Sequence, residues 1–196
     1  LYGDKLYLAT LDACVVALEA ATGEEVWETC VADYWEGYYS TLSLLVAKGR
    51  VMTGVSGGEF GIRGEITALD AETGEEVWKT YTIPGPGEPG HETWTGDSWK
   101  TGGASVWMQG NYDPETGLAY FGTGNGGPWM PDTRPGDNLY ATSVVAVDVE
   151  SGEIRGHHQY HWNDAWDWDE VSPPLLIEYE KDGRTIQGAV HAGRNG

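Results

Sequence analysis

The densest chemistry in this 196-residue chain lies in Trp166-Asp167-Trp168-Asp169-Glu170. On an extended backbone alternate side chains share a face, which would turn Asp167 and Asp169 one way and the two tryptophans the other. The Cα atoms of such a pair stand ~7 Å apart. Two carboxylates this close repel each other unless a cation lies beside them, and hard cations such as Ca2+ take oxygen ligands of this kind. A solvated acidic strand edge fits the same letters, and both readings stand at this level. Two further segments, residues 56–64 and 122–129, set Glu59 and Asn125 in glycine-rich runs that let backbone come close to a ligand. An ordinary β-turn fits each of them equally. Gly122-x-Gly124-x-x-Gly127 and Gly85-x-Gly87-x-x-Gly90 match the dinucleotide pattern by letter, yet Pro128 and Pro89 interrupt them where a helix would have to start. His157, His158 and His161 lack the further Cys or His ligands of a zinc site and are expected in a loop or strand near the active region.

The elements that must position these residues repeat. Val-Val-Ala-Leu-Glu-Ala-Ala-Thr-Gly-Glu-Glu-Val-Trp at 15–27 returns as Ile-Thr-Ala-Leu-Asp-Ala-Glu-Thr-Gly-Glu-Glu-Val-Trp at 66–78, and a weaker copy surrounds Gly152. A fourth turn of the same kind, Asp113-Pro114-Glu115-Thr116-Gly117, lies between the second and third. Each is a β-rich run, an acidic-x-x-Thr/Ser-Gly turn and a second β-rich run. That is a hairpin, with glycine at the positive-φ position and the acidic and hydroxyl side chains bonding back to the turn. Hairpins recurring at roughly 50 residues predict propeller blades of four strands each. The fold class is therefore all-β, a β-propeller, with about four blades' worth of sequence and no amphipathic helix. Residues 84–103, rich in Gly and Pro, read as a long ordered loop. If Leu18 pairs with Val26, Cys14 and Cys30 face each other across the first hairpin, as a disulfide or as two buried thiols.

Composition narrows the partners. There are 31 acidic against 11 basic side chains, for a net charge of −20. Such a chain is repelled by nucleic acid and by anionic lipid, so neither is expected as a partner. With 10 Trp, 11 Tyr and 29 Gly it is no disordered acidic segment. No apolar run is long enough for a membrane span. Position 1 is Leu and the sequence stops at a turn signal. An open arc of blades would leave strand edges unpaired, so residues 1–196 are expected to form one partial propeller domain, incomplete at both ends.

In combination, Leu1-Tyr2-Gly3-Asp4-Lys5-Leu6-Tyr7, residues 56–64, Gly102-Gly103-Ala104-Ser105-Val106-Trp107, residues 122–129, residues 166–174 and terminal Arg194-Asn195-Gly196 resemble the quinoprotein alcohol dehydrogenases, the PQQ-dependent methanol and ethanol dehydrogenase family. The resemblance covers essentially the whole chain and implies a part of an eight-bladed propeller. It implies a periplasmic oxidoreductase that oxidises small primary alcohols with PQQ and a bound metal ion. A c-type cytochrome would accept the electrons, and a homodimer is one arrangement of the full-length protein. Glu59 and Asn125 match the family's metal ligands, and Asp167 matches its catalytic aspartate, which also touches the metal. Trp107 matches the floor on which the quinone stacks. Thr41, Ser56, Gly57, Gly58 and Ser105 match positions that contact PQQ, and Arg194 matches the arginine near its reactive oxygens. Those matches imply that the metal polarises the PQQ C5 carbonyl, that Asp167 takes the alcohol proton as hydride passes to C5, and that Arg194 stabilises the developing oxyanion.

Asp169 bears on the metal. The calcium enzymes of the family carry a small residue there, whereas an Asp two residues after the catalytic one resembles the lanthanide-dependent branch. The three carboxylates of Glu59, Asp167 and Asp169 suit a lanthanide(III) ion, with Ca2+ as the alternative. Several features depart from the family. The adjacent-cysteine disulfide and the early PQQ-contacting Glu and Arg are missing, Glu170 stands where methanol enzymes carry Gly, and Ser172-Pro173-Pro174 follows. Glu170 and Ser172-Pro173-Pro174 argue against a strict methanol dehydrogenase, whereas the cysteine pair and the early Glu and Arg are expected upstream of Leu1. A non-catalytic scaffold propeller and a calcium- or sugar-binding β module are the competing classes. Convergence of Glu59, Asn125, Asp167 and Asp169 on one point beside Trp107 would separate them from the enzyme.

Overall fold

The computed structural model describes residues 1–194; Asn195 and Gly196, from the family-like terminal segment, lie outside the described residues. Strands β1 (Lys5–Ala9), β2 (Cys14–Glu19) and β3 (Glu25–Cys30) form a three-stranded sheet. A four-stranded sheet follows, made of β4 (Leu45–Ala47), β5 (Arg50–Gly54), β6 (Glu65–Asp70) and β7 (Glu76–Tyr81). A second contains β8 (Asn111–Asp113), β9 (Leu118–Gly122), β10 (Ser143–Asp148) and β11 (Ile154–Gln159), and β12 (Leu175–Lys181) pairs with β13 (Arg184–Val190). The expected four blades are thus two complete ones between a three-stranded and a two-stranded sheet. Among the described residues the only helical pieces are short 3-10 turns, two of them inside the ordered loop 84–103, and no helix is long and apolar enough to cross a membrane.

The hydrophobic cores lie between consecutive sheets. Tyr7, Val15, Ala17 and Trp27 of the first sheet pack on Val51 and Leu69 of the second and on Val55 just beyond β5. Met52, Ile66, Ala68 and Trp78 of the second pack on Ala119, Phe121, Val145 and Val147 of the third.

Each repeat carries the same irregularity. The register slips between Ala17 and Leu18, between Ala68 and Leu69, and between Ala146 and Val147. Leu18 therefore pairs with Glu25 rather than Val26, because a bulge inserts one residue next to the turn. Beyond the bulge the register is as expected, and Cys14 faces Cys30 in a disulfide.

The bulge presents one large ring opposite an alanine: Trp27 pairs with Ala17, and Trp78 with Ala68. Each ring reaches over the turn of the next sheet. Trp27 Nε1 donates to the Ala71 carbonyl at 3.2 Å and Trp78 Nε1 to the Val149 carbonyl at 2.9 Å. Beneath the rings lie Gly74 and Gly152, where an added Cβ would come within 2.6 Å of Trp27 Cδ2 and Trp78 Cδ2 respectively. Thr29 and Thr80 hydroxyls donate to the carbonyls of the same two glycines at 2.8 and 2.6 Å. Gly156 occupies the matching register in β11, so the third sheet lacks the ring.

An antiparallel meander sends its connections alternately to two rims. The short turns at Gly23, Gly49, Gly74, Gly117 and Gly152 fall on one. The long connections, residues 31–44, 55–64, 82–110, 123–142 and 160–174, all fall on the other.

Two predictions follow from these contacts. Gly152 has φ +76° and no room for a side chain, so Gly152→Ala should lower stability by about 2 kcal/mol, read as a fall in Tm; an unchanged Tm would refute the ring-on-glycine contact. The turn carboxylates Asp70 and Asp148 each accept two backbone N–H groups at 2.9–3.1 Å. Those bonds hold both below the usual carboxylate range. A depressed native value gives stability that is complete above the unfolded value of about 4 and is lost as pH falls through the native one. The double variant Asp70→Asn, Asp148→Asn should melt below the wild type at pH 7, with the gap narrowing progressively as pH falls below about 4. A gap that stays constant across that range would count against the assignment.

Candidate functional site

The long-connection rim brings its chemistry to one cavity of about 490 Å³. Tyr39 and Thr41 come from the first connection, Ser56, Gly57 and Glu59 from the second, and Ser105 and Trp107 from the third. Asn125 and Trp129 come from the fourth, Asp167 and Asp169 from the fifth. Two expected residues stand off this lining. Gly58 faces a neighbouring cavity of about 410 Å³ that shares Glu59 and Trp129 with the first. Its missing side chain makes room for Ser105, whose Oγ an added Cβ would approach to 3.1 Å. Arg194 is exposed at the edge, its backbone N–H donating to Glu170 Oε1 at 2.8 Å.

Asp167 and Asp169 share the cavity, but not by lying on an extended strand. Asp167 has φ +58°. The buried Asp164 carboxylate accepts the N–H of Trp166 at 2.9 Å and of Trp168 at 2.8 Å, and this winds the backbone between them into a turn. Local side chain-to-backbone bonds of this type compete with strand geometry.

Asp169 is the most constrained of the acids lining the cavity. Its Oδ1 accepts the Asn125 N–H at 2.6 Å and its Oδ2 accepts Trp107 Nε1 at 3.2 Å. Gly124 permits the approach, since a Cβ there would stand 2.8 Å from Oδ1. Burial pushes the Asp169 carboxyl up and the Asp167 charge adds to the rise, outweighing the two donors and the distant pull of Arg194. Glu59 accepts the Tyr39 hydroxyl at 2.9 Å. The Asn125 amide nitrogen donates to the Gly126 carbonyl at 3.1 Å, so the amide oxygen is the atom left without a partner among the described residues.

Among the described residues no three His, Cys, Asp or Glu side chains stand close enough to form a ready-made cage. The acids are spread over donors from Tyr39, Asn125 and Trp107, as mutual repulsion favours. The donor set is nonetheless all oxygen and contains three carboxyl groups, which fits a hard cation. A half-buried Trp107 with the Thr41 and Ser56 hydroxyls 2.9 Å apart, and Thr41 Oγ1 bonded to the Trp107 carbonyl at 3.3 Å, fits a flat group with polar edges.

Sequence reasoning missed Tyr39, which sits in an aromatic loop with no motif to mark it. It saw Glu170 only as a departure from a family pattern. Glu170 is buried at 2% exposure, with His161 Nε2 at 2.8 Å, His191 Nε2 at 2.7 Å and the Arg194 N–H on its two oxygens. Burial pushes its carboxyl up, but these bonds together hold it below the usual range.

The profile of the family described as PQQ, glucose/ethanol/alcohol dehydrogenase, β-propeller domain, matches residues 34–196. Quinoprotein alcohol dehydrogenase PedH of Pseudomonas putida is 43% identical over 100% of this chain and 36% of its own length. Methanol dehydrogenase [cytochrome c] subunit 1 of Methylorubrum extorquens is 39% identical over 95% of this chain and 33% of its own. The solved structure of a europium-containing methanol dehydrogenase superposes with a TM-score of 0.95 at 36% identity, covering 100% of this chain and 37% of that one. The chain therefore spans about a third of the length of these relatives. Its repeated hairpins, its single rim of long connections and this similarity make it a member of the PQQ-dependent alcohol dehydrogenase β-propeller family.

Proposed function

We propose that this chain is the site-bearing part of an enzyme oxidising small primary alcohols, with PQQ as oxidant and a lanthanide(III) ion as preferred metal, Ca2+ being the alternative. One observation carries the proposal: Glu59, Asn125, Asp167 and Asp169, drawn from three separate connections, line one cavity with Trp107 in its wall. A scaffold propeller has no use for such a convergence.

When bound, PQQ supplies a quinone that accepts hydride, and the cation supplies Lewis acidity toward a quinone oxygen. The chain's own residues do the rest. Trp107 offers a flat face for stacking, and the hydroxyls of Thr41, Ser56 and Ser105, with the backbone at Gly57 and Gly58, offer polar contacts around it. Glu59, Asn125, Asp167 and Asp169 hold the cation through oxygen. Asp167 is the proton acceptor. It receives no hydrogen bond from the described residues, whereas both Asp169 oxygens are already engaged by Asn125 and Trp107. Two acids in different surroundings thus take different work. Arg194, tethered through its backbone to Glu170, stabilises the negative charge that develops on oxygen.

A c-type cytochrome as electron acceptor and a periplasmic location belong to the same proposal. The Cys14–Cys30 disulfide is of a kind that persists in oxidising compartments.

In the full-length protein, Asp167→Asn should lower kcat about 10²- to 10⁴-fold while cofactor absorbance shows PQQ still bound. Retained turnover would remove Asp167 from the proton step. Reconstitution with lanthanum(III) should give the higher activity for the wild type, and Asp169→Ala should shift the preference toward calcium. Equal wild-type activity with calcium alone would overturn the lanthanide assignment.

A further inference from the structure

Behind the cavity lies a fully buried cation that the proposed chemistry does not use. Arg134, at 0% exposure, follows a single 3-10 turn (Pro131–Thr133) in the connection between β9 and β10. Its guanidinium donates in three directions. Nε reaches the Pro128 carbonyl at 2.9 Å, Nη1 reaches Asn138 Oδ1 at 2.7 Å, and Nη2 reaches the Asp164 carbonyl. The Gly126 backbone lies against the guanidinium, since an added Cβ would stand 2.7 Å from Cζ. The Arg134 carbonyl in turn accepts from Asn138 Nδ2 at 2.9 Å and Asn163 Nδ2 at 3.0 Å.

These contacts link two segments far apart in sequence. Gly126 and Pro128 belong to the loop carrying Asn125 and Trp129. Asp164 belongs to the turn whose carboxylate grips the N–H groups on either side of Asp167. A buried guanidinium bonded to neutral oxygens is a poor source of stability, because its desolvation is set against acceptors without charge. Burial draws the Arg134 group down from its ordinary range, with only the Asp164 charge opposing. Its rigid planar fork suits holding several oxygens at fixed mutual positions, which a lysine cannot do.

We propose that Arg134 is a positioning residue: it fixes the loop of Asn125 and Trp129 against the turn of Asp167 and Asp169, so that the ligand oxygens are held together before a cation arrives. This rests on the assignment of Asn125, Asp167 and Asp169 as ligands. Like charges drawn from separate loops would otherwise relax apart, and the energy of gathering them would be subtracted from the affinity for the ion.

The test uses the full-length protein without PQQ, titrated with terbium(III) alone and read by luminescence sensitised by the neighbouring tryptophans. Arg134→Lys, which keeps the charge and loses the fork, should weaken terbium binding about tenfold or more. Asp148→Asn, which loosens a single turn on the opposite rim without touching the ring contacts, should leave the affinity unchanged. Equal affinity in wild type and Arg134→Lys, or an equal loss in both variants, would overturn the proposal. Amide hydrogen exchange supplies an ion-free readout: Arg134→Lys should speed exchange at Trp166 and Trp168 while leaving β5 and β6 protected, and unchanged exchange at the two tryptophans would also overturn it. If the wild type binds no terbium, the ligand assignment fails, and the exchange result alone decides whether Arg134 ties the loops. Should Arg134→Lys not fold, Asp164→Asn interrupts the same chain of contacts at its next link and is expected to act in the same direction on both readouts.

Discussion

The seating of one sheet's tryptophan over the next sheet's turn glycine is the contact on which the rest depends. A single blade cannot bury both faces, so the angle between neighbours decides where every connection ends up. Trp27 over Gly74 and Trp78 over Gly152 set that angle twice, each ring fixed by an indole hydrogen bond and by a threonine hydroxyl on the glycine carbonyl. The bulge beside each turn presents the ring, and the missing side chain beneath receives it. Because strands alternate in direction, the rim that carries these contacts is opposite the rim that carries the chemistry. Stability and function are thereby separated: one end is built from short turns with self-satisfied aspartates, the other from long connections free to vary.

That freedom has an electrostatic consequence. The cavity collects acids from different connections, and collecting them is unfavourable on its own. The fold disperses the charge by giving Glu59 and Asp169 separate donors, from Tyr39, Asn125 and Trp107. Asp169 still sits above the usual range because burial outweighs those donors. A cation entering this cavity would find two of its carboxylates already oriented, Glu59 by Tyr39 and Asp169 by Asn125 and Trp107.

Much of this was legible in the sequence, and the reason is local chemistry. The Asp/Glu-x-x-Thr/Ser-Gly turns announce hairpins because the acid and glycine do their work within five residues, and counting outward from a turn set Cys14 opposite Cys30 while leaving a disulfide and two thiols equally open. The spacing of the hairpins identified the blades. Four acidic or amide residues were picked out from segments that all fall on one rim. What escaped depended on partners distant in the chain. The extended reading of Asp167 failed because the Asp164 side chain caps the turn around it, an effect that period-two alternation cannot register. The bulge that re-pairs Leu18 with Glu25 serves the ring of Trp27, whose receiving glycine is in another repeat. Tyr39 and Arg134 have no motif at all; their roles exist only after the connections have been brought together.

The buried polar groups around the cavity each bond the backbone of a site loop. Asp164 accepts backbone N–H groups beside Asp167, Glu170 accepts the Arg194 N–H together with two histidines, and Arg134 donates to the Pro128 and Asp164 carbonyls. For Asp164 and Arg134 the buried charge is satisfied largely by the backbone of a site loop and not by an opposite charge, whereas Glu170 takes one backbone N–H beside two histidine side chains. A salt bridge between two side chains can persist while the loops that carry them shift, because both side chains can follow. A charge bonded to backbone cannot, since its partner is the loop itself. Buried charges bonded in this way therefore convert the high energy of an unsatisfied ionic group into resistance against loop movement. That resistance is what a site assembled from five connections needs, and it accounts for the buried Asp164 and Arg134 side chains in a rim where apolar packing would have been the more stabilising choice.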